Sequence, residues 1–286
     1  MARGIFHHLT DEQYLKLAWK VDMGGKLNLQ NPKTFNEKLQ WLKLNDRKSL
    51  YTQLVDKYEA KHWVANLIGD DYIIPTYGIW ENFDDINFEK LPKQFVIKCT
   101  HDSCGLVICK DKSRLNIGSA QNKINKSLRR NYYYRDREWP YKDVKPRIIV
   151  EKFMSDGRTL ESGLTDFKFF CFSGHPKFLY VSQGLDNHAT AKIAFYDLHG
   201  KKMWFKRADY HELSEDEFSL PKTFSEMVNV AAILAKNIPC PFVRIDLYEI
   251  NGKVYFSEIT FSPCGGHLPF SPVKADFELG KLLKLK

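Results

Sequence analysis

The stretch that most limits what this chain can fold into is FVRIDLYEINGKVYFSEITFSPCGG, Phe242 to Gly266. Two segments alternate apolar and polar residues with a period of two, the signature of strands with one buried face. Between them lies Asn251-Gly252, the strongest short-range hairpin signal a sequence carries. Arg244 and Asp246 share one face of the first strand, and Glu258 and Thr260 share one face of the second. Loop length decides whether all four meet. A two-residue loop on Asn251-Gly252 would put Asp246 and Glu258 on opposite faces. A three-residue loop, Ile250 to Gly252 with Gly252 left-handed in a bulge, sets Arg244 opposite Glu258. The second register is expected, because it gathers an arginine and two carboxylates at one spot.

Such a cluster suits magnesium-bound phosphate. Mg²⁺ takes one or two protein carboxylates plus phosphate oxygens, and arginine forks onto an oxyanion. A salt-bridge ladder across a surface hairpin is the plain alternative, and on the hairpin alone the two readings stand level. The loop Ser262-Pro263-Cys264-Gly265-Gly266 favours the first, since flexible small residues there let a substrate approach the backbone. Asp246 and Glu258 are therefore the metal candidates, and Arg244 the catalytic one.

At 286 residues the chain can bury a substantial core in one large domain or two or three small ones. No stretch resembles a secretory leader or approaches the roughly 18 apolar residues of a membrane span. Six cysteines show neither a C-x-x-C pair nor metal-finger spacing, which reads as reduced thiols in a cytoplasmic protein. A net charge of +8 calls for an acidic partner, and ATP, an anionic polysaccharide and nucleic acid all qualify.

Residues 1 to about 50 read as mostly helical, with a capping box at Thr34-Phe35-Asn36-Glu37 and an apolar stripe of Phe35, Leu39 and Leu42. A second helix is expected from about Ser49 to Leu67, and a short strand from Tyr72 to Pro75. Phe95–Lys98, the turn-rich Thr100–Gly105 and Leu106–Cys109 make strand, loop and strand, a flap that can cover phosphates. Lys98 stands at the strand end facing that loop, where an ammonium meets phosphate; Ser103 and His101 lie within the loop. His101 fits equally a plain loop hydrogen bond.

From Asn122 to Lys145 the chain is basic and aromatic. It reads as a lid or groove gripping an anionic glycan, as a solvated helix with inward rings, or as a nucleic-acid surface; the last ranks lower because no RNA-module signature is present. Ile148–Phe153 is a buried strand ending in charge. Asp166 and Lys168 share a strand face. Thr223–Glu226 is a further capping box.

The hairpin pattern R-x-D, then E-x-T and a Pro/Gly loop, resembles the metal-binding hairpin of ATP-grasp enzymes. The phrases NPKTFNEKLQWLKL, LVDKYEAKHWV, FVIKCTHDSCGLVICKDKS, REWPYKDVKPRIIVEKFM and DFKFFCFSGHPKF resemble the branch of teichuronopeptide biosynthesis found among capsular polysaccharide genes. The likeness runs from about Leu27 to Leu285. Two positions depart: Thr260, a metal candidate through this resemblance alone, stands where these ligases carry Asn, and Cys104 where the branch has Gly. The resemblance implies an α+β fold of two subdomains clasping ATP and Mg²⁺: a helical lead-in over 1–70, a small subdomain with the flap over 71–152, and a large one with the hairpin over 153–286. It implies Lys57 on the α-phosphate, Lys98 on the α- and β-phosphates, and the Lys152 and Phe153 backbone on the adenine edge with Glu151 near its amino group. Asp166 would hold the ribose and Lys168 a phosphate. The implied reaction is amide formation through an acyl phosphate, joining an amino acid or other amine to a uronic acid of a glycan. A sugar kinase or glycosyltransferase is the nearest rival, and a basic nucleic-acid-binding protein the rival from another class.

Overall fold

Two reciprocal caps start the helical lead-in. Ahead of α1 (Asp11–Asp22), Thr10 accepts from the Gln13 N–H while the Gln13 side chain accepts from the Thr10 N–H. Thr34 and Glu37 do the same for α2 (Phe35–Asn45), as the sequence predicts. The computed structural model describes residues 6–103, 105–156, 164–185 and 189–285. Position 104, singled out above, lies outside the described residues.

The expected helix over 49–67 is two helices, α3 (Ser49–Val55) and α4 (Lys57–Ile68). Asp56 is extended between them, and its carboxylate accepts from the Tyr58 and Glu59 N–H groups, so an aspartate read as mid-helix is an N-cap. The strand expected at Tyr72–Pro75 starts later, as β1 (Thr76–Trp80). Pro75 has no N–H for a ladder, and its carbonyl takes the Lys152 N–H instead.

β1, β2 (Phe95–Cys99), β3 (Leu106–Cys109) and β4 (Ile148–Lys152) form an antiparallel sheet in the order β1-β4-β2-β3. Phe95 and Ile97 on one face pack under α5 (Ile117–Leu128), with Ile148 and Val150. The period of two therefore turns Val96 and Lys98 to the opposite face. A four-residue helix, α6 (Tyr133–Asp136), follows α5.

The loop joining β2 to β3 is sewn to α5. Gly105 donates to the Asp102 carboxylate, which also accepts from the Ser127 hydroxyl, and the Gly105 carbonyl takes the Cys99 N–H. A Cβ at Gly105 would lie 2.5 Å from Cys99 Sγ and 2.7 Å from Ser127 Oγ. Gly105→Ala is accordingly expected to cost about 1–3 kcal/mol by overpacking. Urea denaturation would read it as a lower midpoint at constant slope, and an unmoved midpoint would show that the loop yields.

The larger sheet runs β11-β10-β5-β6-β7-β9, built from β5 (Asp166–Phe172), β6 (His175–Gln183), β7 (Lys192–Asp197), β9 (His211–Glu212), β10 (Phe242–Ile250) and β11 (Lys253–Thr260). β8 (Lys206–Arg207) pairs separately with β12 (Phe270–Ser271). α7 (Phe224–Lys236) and α4 cover one face. α2 and the last helix, α8 (Lys274–Leu282), cover the other. Phe35 of α2 enters a cluster of rings from Phe170, Phe172, Phe242 and Phe270. Burying Phe35 and Leu39 contributes roughly 1.5–3 kcal/mol each.

The capping box expected at Thr223 does not form. Thr223 is not extended and makes no cap bond; a turn from Pro221 starts α7, and Glu226 accepts from the Tyr72 hydroxyl. No disulfide joins the described cysteines, and among the described residues no helix is long and apolar enough to cross a membrane.

Candidate active site between the two sheets

The β10–β11 hairpin turns on two residues, which corrects the expected three-residue loop. Asn251 (φ 53°) and Gly252 (φ 80°) are both left-handed, as a type I′ turn requires, and Ile250 pairs with Lys253. That register runs to Leu247–Phe256 and would place Asp246 and Glu258 on opposite faces. A bulge restores the shared face: the next pair is Asp246–Glu258, leaving Ser257 as the extra residue on β11. Arg244 consequently lies opposite Thr260, not Glu258.

On that face the charges form one buried network. Arg244 forks onto Asp246, Nε to Oδ1 at 2.7 Å and Nη2 to Oδ2 at 2.6 Å. β5 lies beside β10 with Lys168 directly opposite Asp246, and Lys168 Nζ reaches Asp246 Oδ2 at 2.9 Å and Asp166 Oδ1 at 3.1 Å. Burial opposes the charge on Asp246, yet Arg244 and Lys168 hold its carboxyl below the ordinary range. Burial raises Asp166, with Lys168 opposing. The Thr260 hydroxyl accepts from Arg244 Nη2 at 3.0 Å and donates to Glu258 Oε1 at 3.2 Å, so it orients the one carboxylate of the pair that stays partly exposed.

A second network sits across the small sheet. Glu151 on β4 is 3 % exposed, and its carboxylate lies between Lys98, at 2.6 Å, and Lys61. Burial alone would raise it, but the two ammonium groups bring it down to about 2. Lys61 of α4 also donates to the Ile74 carbonyl and Thr76 Oγ1, bracing the entry to β1. Glu151 thus holds lysines.

Two clefts meet at the hairpin. The first, of about 300 Å³, has apolar walls including Val96, Ile108 and Leu185, the chain at Phe153 and Met154, and Lys98, Asp166 and Tyr248 as polar groups. The second, of about 480 Å³, is lined by Arg244, Glu258 and Thr260 together with Arg135, Arg207 and Glu138. Asp246 is fully buried and lines neither, so it anchors the wall between them.

Other candidates land elsewhere. His101 is 2 % exposed, with Nε2 at 3.2 and 3.1 Å from the Ser127 and Arg130 carbonyls, so it closes the end of α5 instead of facing a ligand. Lys57 donates to the Asp102 carbonyl at the base of the flap and lines neither cleft. The Lys152 N–H is bonded to Pro75 O, while Glu151, Lys152 and Phe153 all line the first cleft. Ser103 donates to the Tyr132 hydroxyl at 3.0 Å and lines the second cleft. In the basic aromatic stretch Tyr133 and Tyr141 pack inward, and Arg137 is buried against the rings of Tyr14, Tyr133 and Tyr134, while Tyr132 and Arg135 line the second cleft.

The loop after β11, expected to be flexible, is clamped. Gln40 donates to the carbonyls of Gly265 and Gly266, and Lys43 Nζ donates to the Gly265 and Asp136 carbonyls. With Asn36 bonded to Leu268, these residues form a polar stripe on α2 at helical spacing, a signal the sequence contains. Cys264 at the loop tip is left-handed (φ 51°) and exposed, with its Sγ 3.4 Å from Nη1 of Arg207, which Asp209 holds by a fork. Arg207 lies in none of the phrases that carry the family resemblance; Lys61 and Glu138 lie inside two of them but are not among the residues to which it assigns a role.

A family model described as TupA-like ATP-grasp matches residues 37–284. No curated protein matches the chain. Similar solved structures include D-alanine-D-alanine ligase from Helicobacter pylori, at 14 % identity and TM-score 0.48, covering 87 % of this chain and 69 % of that one. The Bacillus anthracis D-alanine–D-alanine ligase complexed with ATP is similar at 15 % identity and TM-score 0.43, with 73 % and 55 % covered. N5-carboxyaminoimidazole synthetase from Staphylococcus aureus follows at 11 % identity and TM-score 0.40, with 73 % and 44 % covered. The chain thus spans about half the length of the latter two. With the family model covering most of the chain, this α+β protein belongs to the TupA-like ATP-grasp family and is an ATP-grasp enzyme.

Proposed function

We propose that the chain is an ATP-dependent carboxylate–amine ligase whose acid is an anionic sugar, such as a uronic acid of a capsular or cell-surface glycan, and whose amine is an amino acid. The observation that carries this reading is a pair of clefts that share the β10 strand, which gives Tyr248 to one and Arg244 to the other: the first apolar with Lys98 among its few charges, the second polar and lined by arginines. Adenine would lie between Val96 and Leu185 against the backbone from Phe153, with Asp166 on the ribose and Lys98 on the phosphates. Lys168 would act through Asp246 and Asp166, which already hold it.

The donor set fits a magnesium ion that arrives on the triphosphate. Glu258 lines the second cleft, stays partly exposed and accepts one long hydrogen bond, so it has lone-pair capacity left. It would hold the ion, which when bound neutralises phosphate charge, while the buried Asp246 fixes Arg244 and Lys168 behind it. Arg244, whose Nε and Nη2 already hold Asp246 and Thr260, would present Nη1 to the transferred phosphoryl and the developing oxyanion. The acid's carboxylate oxygen attacks the γ-phosphorus, the bond to the β-γ bridging oxygen breaks, and ADP leaves. The amine nitrogen then bonds to the acyl carbon, inorganic phosphate departs, and the amine gives up its extra protons. Such transfer needs positioned charges and no protein nucleophile.

The test is ADP release over a panel of acidic sugars, each with and without the common amino acids. Amine-dependent release with a uronic acid supports the reading. Equal release without amine makes the protein a kinase or an ATPase, and no release with any pair overturns it.

A further inference from the structure

Among the described residues, one carboxyl in the second cleft has no donor. Glu138 follows α6 and is 5 % exposed, yet it lines the cavity beside Glu258, Tyr141 and Arg135. No hydrogen bond or ion pair from a described residue reaches its carboxylate, although a buried carboxylate without partners is costly. Lys43, the cation that most offsets it, directs its protons to Gln40 Oε1 and to the carbonyls of Asp136 and Gly265. Burial, with Asp136 and Glu258 nearby, raises the Glu138 carboxyl against the pull of Lys43. Every other buried carboxylate described above is met by a donor. Arginines in that wall suit an anion, and a cation is the ligand that a carboxylate there suits.

Resting on the ligase reading, the geometry points to Glu138 as the seat for the ammonium group of the amine substrate. There the charged nitrogen meets a carboxyl that no described donor occupies, close to Glu258 and Arg244, where the acyl carbon is expected. The fixed loop at Gly265, held by Gln40 and Lys43, forms the neighbouring wall and keeps the amine from drifting. The ligand class is a primary ammonium, such as the α-ammonium of an amino acid, and Arg207 and Arg135 suit the acidic partner.

Hydroxylamine separates the two claims, because it is mostly uncharged at neutral pH and traps acyl phosphates as hydroxamates without an ammonium seat. Wild type and Glu138→Gln would be assayed with glucuronate and ATP, against hydroxylamine and against the common amino acids. In Glu138→Gln the KM for the amino acid is expected to rise about 10- to 100-fold, the worth of a charge-assisted hydrogen bond. Hydroxamate yield should fall far less, and Tm should hold because no hydrogen bond or ion pair from a described residue is lost. An unchanged amino-acid KM overturns the proposal, as does an equal loss of both products. A clear fall in Tm also overturns it, since Glu138 would then have a partner within the fold. Calorimetry with MgCl₂ alone covers the rival cation: magnesium binding that Glu138→Gln abolishes would make the residue a metal ligand. If wild type gives no hydroxamate with any acid, the ligase reading itself fails.

Discussion

Asp246→Ala is expected to remove about 3–5 kcal/mol of folding stability, the cost of stripping the counter-charge from a buried ion network. Asp246 has no exposed surface, and its two oxygens take three donors from Arg244 and Lys168. Its loss leaves a buried guanidinium and a buried ammonium sharing only Asp166 and the Thr260 hydroxyl. Thermal unfolding should show a fall in Tm on the order of 10 °C. Replacing Asp246, Arg244 and Lys168 together by apolar residues of similar volume should recover much of that loss while abolishing turnover, because an apolar trio leaves no charge stranded. A Tm unchanged in Asp246→Ala would mean that water reaches this network and that the hairpin wall is looser than its packing implies.

Glu258→Gln separates chemistry from stability in the opposite sense. Glu258 is only partly buried and accepts one 3.2 Å bond from Thr260, so the amide should leave Tm nearly unchanged. The proposed anionic ligand of the magnesium triphosphate is lost, however, and turnover should fall by orders of magnitude, each tenfold being about 1.4 kcal/mol of barrier. ATP affinity should survive, since Lys98, Asp166 and the backbone from Phe153 lie in the other cleft. Calorimetric ATP binding beside amine-dependent ADP release checks both parts. Full turnover in this variant would make the hairpin structural.

What the sequence determined by itself is local. Thr34 and Glu37 are three residues apart, so their cap forms wherever the helix forms. Asn251-Gly252 supplies the two left-handed positions of its turn, and the period of two assigns Val96 and Lys98 to one face of β2. The long phrases shared with the family carried the fold, the two sheets and the hairpin that joins them. Other choices depended on partners far along the chain. The Ser257 bulge exchanges register at a point where either alternation pattern would satisfy the local signal, and only packing of β10 between β11 and β5 selects it. Asp56 became a cap and not a mid-helix residue because α4 must turn there to carry Lys61 to Glu151 on β4. Lys168 met Asp246 because β5 lies beside β10, a neighbour relation that no short window of sequence contains. Glu138 acquires its meaning only in the fold, because its raised carboxyl comes from burial against α2, β11 and the end of α6, elements far apart along the chain. Local hydrogen-bond chemistry is written in residues a few places apart; burial and charge pairing are written only in the distances that folding creates.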